Sequence, residues 1–336
     1  MPSSTTTQPD VDIATQTMRD VYEQIKTPHK YGVVLRNSGV IIDCPAVYRF
    51  DGKWYMTYIQ WTDQIGYETC LAESDDLLHW EPLGKILSFR EDDSWDKWQA
   101  AGTIQLVDHH WSGTHEPQKF AGKYWISYIG GAKKGYETDP LSIGMATSAA
   151  PNQTAEWERL AGNPVMTPSD PDARTFEKTT LYRSNVIWDR DETLRHPFVM
   201  FYNGKELLEN KKSVERIGIA VSQDMVHWSR YGDSPVIDNL KGISGDPQVV
   251  KIGDLWVMFY FGHIWPKKTS DWFACSHDLV NWTNWDGPAL VEPSEPWDNK
   301  FAHKPWVIYH DGIVYHFYGA VGNENRVIGL ATSKKV

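Results

Sequence analysis

Hydrophobic and polar residues alternate over short runs along most of the chain, and these runs are rich in Trp, Tyr, Phe and Met. Such alternation, interrupted by Asp-Gly and Ile-Gly-Asp turns, is typical of half-buried antiparallel strands. A short segment, usually containing Pro, precedes an aromatic strand five times. The five segments are Asp43-Cys44-Pro45, His115-Glu116-Pro117, Arg183-Ser184-Asn185, Gly245-Asp246-Pro247 and His303-Lys304-Pro305. Their spacing of 72, 67, 63 and 58 residues, counted from Pro45, Pro117, Ser184, Pro247 and Pro305, predicts five repeated units.

A second pattern completes each of the first four units. It is a strand ending in Ala and Ser, followed by a polar turn and a Trp, and its copies read LAESDDLLHW, GMATSAAPNQTAEW, GIAVSQDMVHW and WFACSHDLVNW. Three readable strands in each unit, with a fourth expected between units, predict four-stranded antiparallel blades. A ring of blades leaves no long unprotected sheet edge. The sequence therefore predicts an all-β fold, a five-bladed β-propeller over residues 31–336, in which the strand Tyr31 to Leu35 closes the ring against the last blade.

The first thirty residues differ from the repeats. Residues 1–11 are polar and predict a disordered tail, whereas residues 12–30 predict a helical extension with one apolar face. That face contains Ile13, Met18, Val21, Tyr22 and Ile25. The start of the chain has no positive charge followed by an apolar run, so no secretory signal is predicted. The expected location is the cytoplasm by default, or outside it or in the periplasm if a signal was removed.

Composition excludes several classes of function. The 336 residues carry a net charge of −11 and contain no basic tract, which argues against nucleic acid or an anionic membrane as a partner. No stretch is long and apolar enough to span a bilayer. The cysteines Cys44, Cys70 and Cys275 are odd in number and lack metal-ligand spacing, so we expect buried apolar side chains rather than disulfides. The oligomeric state is left open by these patterns.

Charged residues occupy equivalent positions just before the aromatic strands, where the innermost strands of a propeller converge on its axis. These positions hold the carboxylates Asp43, Glu116 and Asp246, and also His115, Arg183, Asn185, His303 and Lys304. Charges gathered in a narrow channel are costly to desolvate, and such clusters mark functional sites. The alternative for each single residue is structural, because Asp and Pro start strands through turn chemistry alone. The cluster as a whole predicts a ligand site.

The first unit contains motifs that resemble those of a known group of protein families. The segment Asp43 to Arg49, followed by Asp51-Gly52-Lys53-Trp54-Tyr55 and by Ser74 to Trp80, resembles the opening blade of the five-bladed propeller glycoside hydrolases. The closing signature, Ser-x-Asp-Leu/Met-x-x-Trp, returns at 222–228 and 276–282. Glycoside hydrolase family 43 and its relatives 32, 62, 117 and 130 share these features. The resemblance covers residues 31–336 and does not select one family, because the Glu-Gly-Pro of family 43 and the Arg-Asp-Pro and Glu-Cys-Pro of family 32 are missing.

The resemblance implies an exo-acting glycosidase that cleaves a furanoside, such as an arabinofuranosyl group, from plant or microbial glycans. One acid protonates the leaving oxygen while another carboxylate activates water or attacks directly. The implied roles are base for Asp43, general acid for Glu116, and orientation and pKa tuning for Asp246, with the last two exchangeable. The tetrapeptide Gly-Tyr-Glu-Thr occurs at 66–69 and 135–138, so Glu68 and Glu137 are reserve acids, although packing between units is the alternative for both.

Substrate recognition is expected from cations and aromatic side chains near these carboxylates. His115, Arg183, Asn185, His303 and Lys304 are candidate donors to sugar hydroxyls or to an acidic substituent. Trp61, Trp98 and Trp265 lie in predicted loops and are candidates for stacking on a sugar face. No cofactor and no metal ligand set is predicted, although a calcium ion near His303 is conceivable by analogy with family 43.

Two other functions remain open at this point. A glycoside phosphorylase would use Arg183, His303 and Lys304 to hold phosphate in place of activated water, and phosphate dependence would identify it. A non-catalytic propeller that binds a glycan or a protein is the third candidate, but binding alone has no need of carboxylates in the channel. Fold by itself does not separate these functions.

Overall fold

A computed structural model describes residues 12–210, 212–239, 242–263, 269–323 and 325–336. Within these residues the structure consists of β-strands, one α-helix and one 3-10 turn, which confirms the all-β prediction. The predicted tail, residues 1–11, lies outside the described residues. No helix in the described ranges has the length and apolar character needed to cross a membrane.

The α-helix, α1 (Thr15–Ile25), is amphipathic as predicted. Met18, Val21 and Ile25 are buried in a cluster that includes Phe273 and Trp285. Tyr22 stacks on Trp285 with 4.9 Å between the ring centroids. The apolar face therefore docks the helix onto the strands of the fourth repeated unit.

The strands of the described residues form three four-stranded sheets and one eight-stranded sheet. The eight-stranded sheet divides into two groups of four at its single parallel bridge, Glu215 with Ile243, which gives five groups whose neighbouring strands are antiparallel. The first group contains β2 (Ile41–Phe50), β3 (Lys53–Thr62), β4 (Gly66–Ser74) and β5 (Glu81–Leu87). The second contains β6 (Gln99–Ile104), β7 (Tyr124–Gly131), β8 (Ser142–Ser148) and β9 (Glu158–Arg159). After the 3-10 turn Thr175–Glu177, the third contains β10 (Thr180–Trp188), β11 (Phe198–Leu207), β12 (Ser213–Ser222) and β13 (Trp228–Tyr231). The fourth contains β14 (Ile243–Ile252), β15 (Leu255–His263), β16 (Ser270–Ser276) and β17 (Thr283–Asn284).

The fifth group joins the two ends of the chain. It contains β18 (Phe301–His310), β19 (Ile313–Gly322), β20 (Asn325–Thr332) and β1 (His29–Leu35), and β1 pairs with β20. This confirms the predicted pairing of the N-terminal strand with the last unit, although the strand begins at His29 rather than Tyr31. The first strands contact one another in the order β2, β6, β10, β14 and β18, and β18 contacts β2 in turn. The starts of these strands are thereby brought close together.

The charged segment before Pro is a β-bulge in three of the five groups. Register shifts interrupt β2 after Asp43, β14 after Gly245 and β18 after His303. Cys44, Asp246 and Lys304 adopt left-handed backbone angles, with φ of 53°, 52° and 62°. A bulge re-aims the side chains beside it. The repeated pattern of the sequence therefore turns charged residues of different groups toward a common space.

The second unit departs from the repeat predicted by the sequence. Its first strand is β6 (Gln99–Ile104), and His115-Glu116-Pro117 belongs to the connection between β6 and β7. In this connection Asp108 N–H donates to Glu116 O (2.9 Å) and Gln118 N–H donates to Leu106 O (2.9 Å). Ala101 pairs with Ile129, just as Asp43 pairs with Ile59. The position equivalent to Asp43 is therefore the apolar Ala101 in this unit. The predicted repeat is wrong here because the connection between β6 and β7 contains residue types similar to those that precede the aromatic strands of the other units.

The Ser-x-Asp-Leu/Met-x-x-Trp signature forms a hydrogen-bonded turn. Asp76 Oδ1 accepts from the N–H groups of Leu78 and His79, both at 2.9 Å, and Ser74 Oγ accepts from Leu77 N–H at 2.9 Å. Trp80 Nε1–H donates to Leu77 O (3.0 Å). The same bonds are made around Asp224 and Asp278. Each residue of the signature thus satisfies backbone groups of a tight turn.

Asp76→Ala is expected to lower the free energy of unfolding by about 1–2 kcal/mol, because two backbone N–H groups lose their acceptor. Chemical denaturation followed by fluorescence measures the change. The matched control is Asp75→Ala, because the Asp75 side chain is 84% exposed and lies 3.9 Å from Lys53. Its expected change is within about 0.5 kcal/mol. Equal losses in the two variants would contradict the role given to the turn.

Candidate active site

A cavity of about 260 Å³ opens where the first strands begin. All five strand groups contribute to its lining. The lining includes one residue from each group in turn, namely Cys44, Glu137, Glu215, Asp246 and Lys304. Apolar side chains such as Ile59 and Phe261 complete the walls. A cavity of about 150 Å³ holds benzene, so this one has room for about one sugar ring.

Glu215 is a partly buried carboxyl group of the cavity lining with a raised pKa. It lies on β12, opposite Lys205 of β11, and its Oε2 accepts from Asn203 Nδ2–H (3.3 Å). Burial raises the pKa of Glu215 to about 8, and the negative charges of Glu137 and Asp246 add to this effect. The carboxyl group therefore carries a proton near neutral pH and is able to donate it.

Glu137 is a second carboxyl group in the cavity, and it lies beside a cation and a hydroxyl group. Its Oε1 lies 3.7 Å from Lys304 Nζ and accepts from the Tyr67 hydroxyl (3.4 Å), and the side chain is 26% exposed. The loop between β7 and β8 presents it. Gly135 anchors that loop, because its N–H donates to Ile65 O (2.7 Å) and its carbonyl accepts from Gln99 Nε2–H (2.8 Å). The loop thus aims a carboxylate at the cavity.

Asp43 lies behind the lining and is fully buried. Its Oδ2 accepts from Arg326 Nη1–H (2.7 Å) and lies 3.0 Å from Lys304 Nζ, while its Oδ1 accepts from Cys44 N–H (3.0 Å). Burial opposes ionisation, but the positive charges of Lys304 and Arg326 outweigh it and hold the pKa of Asp43 well below its usual range. Both oxygens are engaged, so Asp43 holds two cations in place at the edge of the cavity.

Asp246 forms an ion pair with Arg183, with 3.5 Å between Asp246 Oδ2 and Arg183 Nη1. Arg183 is fixed by two further bonds, from Nε–H to Thr103 Oγ1 (3.0 Å) and from Nη2–H to Pro45 O (2.8 Å). Asp246 N–H donates to Asn203 Oδ1 (2.8 Å). Because Asn203 also bonds Glu215, it links the two carboxyl groups.

Five of the residues singled out in the sequence meet at this end of the molecule. Asp246, Arg183, His303 and Lys304 line the cavity, and Asp43 lies directly behind it. His303 Nδ1 bonds Gly319 O (2.7 Å). Burial lowers the pKa of His303 to about 4, and the nearby charge of Asp43 offsets this effect only in part, so the ring is neutral at pH 7.

His115, Glu116 and Asn185 lie elsewhere, so the expected meeting of Asp43, Glu116 and Asp246 does not occur. His115 O accepts from the N–H of Arg49, which is six residues along β2 from Asp43, or about 20 Å at the rise of a strand. Glu116 is exposed there. His115 and Asn185 line a separate small cavity, where His115 Nε2 bonds Tyr309 O and Asn185 Oδ1 accepts from Val249 N–H, both at 2.8 Å.

The candidate stacking residues are also dispersed. Trp61 packs edge-on against Tyr136, a rim residue of the cavity, at 5.7 Å. The Trp98 ring lies under the ammonium group of Lys134, 4.4 Å from its centroid, away from the cavity lining. Trp265 lies outside the described residues.

The reserve candidates separate in the same way. Glu68 accepts from the Thr62 hydroxyl (2.6 Å) and pairs with Lys85 (2.7 Å), which is a packing role. Glu137 lines the cavity. The repeated Gly-Tyr-Glu-Thr was a usable signal for Glu137, whereas no sequence signal pointed to Glu215, Asn203 or Arg326.

The surroundings of His303 do not fit a calcium ion. Calcium prefers six to eight oxygen ligands, whereas the ring of His303 shares Asp43 with the cations Lys304 and Arg326. Elsewhere in the described ranges, no three His, Cys, Asp or Glu side chains are grouped as metal ligands.

Two solved structures match nearly the whole sequence. A complex of BT0996 with RGII and a structure named Glycoside hydrolase are each 44% identical to it, cover 97% of both proteins and have a TM-score of 0.92. A thermostable family-43 glycoside hydrolase is 15% identical, with 89% of this protein and 91% of that protein covered and a TM-score of 0.63. This last similarity shows the fold alone.

Matches among curated proteins are shorter, and no protein-family profile matches the sequence. The 1,2-beta-oligomannan phosphorylase of Thermoanaerobacter sp. (strain X514) is 28% identical over 148 residues, which cover 41% of this chain and 47% of that protein. The beta-1,2-mannobiose phosphorylase of the same strain is 29% identical over 138 residues, 37% of this chain and 43% of that protein. The chain thus spans less than half the length of each of these relatives.

Proposed function

Because this protein belongs to the glycoside hydrolases, we propose that Glu215 and Glu137 cleave a glycosidic bond in the cavity between the strand groups. Membership is at the level of a clan that includes families 43, 117 and 130, and no individual family is assigned. One observation carries the proposal. Two carboxyl groups in different surroundings, Glu215 with a raised pKa and Glu137 beside the ammonium group of Lys304, share a cavity of about one sugar ring.

The proposed reaction gives Glu215 and Glu137 different roles. Glu215 donates its proton to the leaving oxygen as the bond from that oxygen to the anomeric carbon breaks. Glu137 removes a proton from the incoming water, or it attacks the anomeric carbon directly and is released in a second step by water, whose proton returns to Glu215. Water thus supplies the new hydroxyl group of the sugar, and the leaving group departs as an alcohol. No cofactor takes part in these steps.

The roles differ from those that the family resemblance implied. Glu116 is exposed in the β6–β7 connection, which bonds Arg49 at the other end of β2 from Asp43, so Glu215 takes the role of acid. Asp43 has both oxygens occupied by Lys304, Arg326 and Cys44 N–H, so we assign it a positioning role and give the base to Glu137. Asp246 keeps its predicted role in orientation and in raising the pKa of the acid.

We also propose that the five strand groups are the blades of a five-bladed β-propeller, with residues 31–336 as the catalytic domain and residues 12–30 as its helical extension. Two facts support the ring. The first strands contact one another in cyclic order, and β1 completes the last group with β20. One bridge, Glu215 with Ile243, connects the third and fourth groups and lies at the proposed acid.

An exo-acting furanosidase is the proposed specificity. The cavity is sized for a single terminal sugar rather than for a long glycan. Most enzymes of the clan that this sequence resembles cleave furanosides, which favours an arabinofuranosyl group as the sugar that is released. The complex of BT0996 with RGII, at 44% identity, makes RGII the first natural glycan to test.

The test is a screen of aryl furanosides and pyranosides, together with RGII oligosaccharides. Release of a single sugar from the non-reducing end supports the proposal. Release of internal fragments would contradict an exo mode. Binding of the glycan without turnover in every condition would favour the third candidate, a glycan-binding protein.

A phosphorylase is the second candidate, because both curated relatives are phosphorylases. The charges favour hydrolysis. Lys304 and Arg326 pair with Asp43, and Arg183 pairs with Asp246, so no cation is left over in the described lining for a phosphate dianion. Turnover should therefore be unchanged by 10–50 mM phosphate, roughly the millimolar range of an enzyme KM or above it. Turnover that requires phosphate and releases a sugar phosphate would show that the protein is a phosphorylase rather than a hydrolase.

Activity should fall at alkaline pH. The acid must be protonated to work, and burial together with Glu137 and Asp246 sets the pKa of Glu215 to about 8. Turnover is therefore expected to be full below this pKa and to fall about tenfold for each pH unit above it. A profile of kcat/KM from pH 5 to 10, with the stability of the protein checked at each pH, measures this alkaline decrease, the alkaline limb of the profile. A profile with no loss of activity up to pH 10 would contradict Glu215 as the acid.

A further inference from the structure

The charges around the cavity are matched in pairs. The Arg and Lys side chains in its described lining are Arg183, Lys304 and Arg326, and each forms an ion pair. Lys304 and Arg326 lie 3.0 Å and 2.7 Å from Asp43 Oδ2, and Lys304 is also 3.7 Å from Glu137. Arg183 lies 3.5 Å from Asp246. An anion in the cavity would meet these carboxylates without an unpaired cation.

One donor in this arrangement is unused. Arg183 is 93% buried as a side chain, and its Nε and Nη2 are bonded to Thr103 Oγ1 and Pro45 O. Its remaining nitrogen, Nη1, is buried and has no hydrogen-bond partner among the described residues. Leaving such a donor unpaired is costly, so the position calls for an acceptor supplied by a ligand or by water. The bonds to Thr103 and Pro45 hold the guanidinium group in place for it.

The unused donor lies beside an acceptor. The 3.5 Å between Arg183 Nη1 and Asp246 Oδ2 is longer than a good hydrogen bond. Asp246 Oδ2 also accepts from Cys44 Sγ–H at 3.6 Å, but a carboxylate oxygen accepts more than one bond, so both atoms are able to bond a third group. A hydroxyl group fits both, because it accepts from Nη1–H and donates to Oδ2. A carboxylate fits only the first, because it has no proton to donate and repels Asp246.

We propose that the Arg183–Asp246 pair binds a hydroxyl group of an uncharged sugar and makes the cavity reject uronic acids. This subsite deepens the proposed function and rests on it for the identity of the ligand as a sugar. The residues also explain the selectivity: Arg183 supplies the donor, while Asp246 supplies the acceptor and the charge that repels an anion. The cavity wall adds Glu137 as a second repelling carboxylate.

The experiment compares free monosaccharides in matched pairs, D-galactose with D-galacturonate and D-glucose with D-glucuronate, plus D- and L-arabinose. Binding is measured by ligand-observed NMR at pH 7, which needs no turnover. The wild-type protein should bind at least one of the neutral sugars at least about tenfold more tightly than a uronate. For galactose and glucose the comparison is with the matching uronate, and for arabinose it is with both uronates. Equal or tighter binding of the uronates, or no binding of any neutral sugar, would overturn the proposal.

Asp246→Asn gives the sharper test, because it keeps the shape of the side chain and leaves Arg183 without a counter-charge. The ratio of uronate to neutral-sugar affinity should rise by about tenfold or more. Asp191→Asn removes the same charge from an exposed surface ion pair with Lys251 and should leave the ratio unchanged. A rise in both variants, or in neither, would overturn the proposal. Circular dichroism and thermal unfolding verify that each variant is folded, and the wild-type comparison stands if Asp246→Asn fails to fold.

The two proposals fail in different ways. Efficient cleavage of uronides would leave the hydrolase intact and overturn the neutral-sugar subsite. Selective binding of neutral sugars by a protein that cleaves no glycoside would support the subsite and overturn the proposed catalysis.

Discussion

Glu137→Gln is expected to lower kcat by at least about 10⁴-fold, because the amide neither activates water nor attacks the anomeric carbon. The change is measured with an aryl glycoside identified in the screen. Glu137 has φ of 45°, a conformation that glycine adopts without strain, so Glu137→Gly is a second variant with an unperturbed backbone. Added azide should restore turnover of Glu137→Gly, because azide attacks the anomeric carbon from the face that the lost carboxylate served. The anomer of the sugar first released by the wild-type protein distinguishes the two roles, because a base gives inversion and a nucleophile gives retention.

The matched control for this prediction is Glu116→Gln. Glu116 is an exposed carboxylate in the β6–β7 connection, so its loss should change kcat by less than about twofold. If Glu116→Gln were inactive and Glu137→Gln active, the roles implied by the family resemblance would be right and those proposed from the cavity wrong.

Glu215→Gln is expected to lower kcat by about 10²–10⁴-fold for substrates with alkyl or sugar leaving groups, because the leaving oxygen departs without a proton. A dinitrophenyl leaving group needs no proton, so its cleavage should change far less. This dependence on the leaving group distinguishes an acid from a residue that only supports the fold.

The pH profile supplies a second readout for the same variant. If Glu215 is the acid, the alkaline limb near pH 8 should disappear from the residual activity of Glu215→Gln, because the amide does not titrate. A uniform loss for all leaving groups with the alkaline limb retained would show that another group donates the proton.

The strand pattern of this protein was predictable because its causes are local. Alternating side chains select one buried face, and the Ser-x-Asp-Leu/Met-x-x-Trp segments satisfy their own backbone, as the bonds of Asp76 illustrate. The pairing of β1 with the last group was also predictable, because the last unit lacked one strand. The prediction from local pattern was wrong at His115-Glu116-Pro117. This connection has residue types similar to those of the bulges, but it bonds Arg49 near the end of β2, whereas the cavity lies near the start of that strand.

The site itself was only half predictable. Asp43, Asp246, Arg183, His303 and Lys304 were found because they share a position before repeated strands. Glu215 lies within β12, and Arg326 lies near the start of β20, with no repeated motif around either. Their place in the site follows from pairing with β11 and β19, which directs them toward the same cavity.

By itself, the sequence determined an all-β protein of repeated antiparallel strands, an amphipathic N-terminal helix and the resemblance to glycoside hydrolases, because these follow from residue spacing and short motifs. Only the tertiary structure decided which carboxyl groups meet and which of them keeps its proton. The physical reason is that the charge state of Glu215 depends on burial and on Glu137 and Asp246, which come from other strand groups. Residues so far apart along the sequence influence one another only after the strands have closed around the cavity.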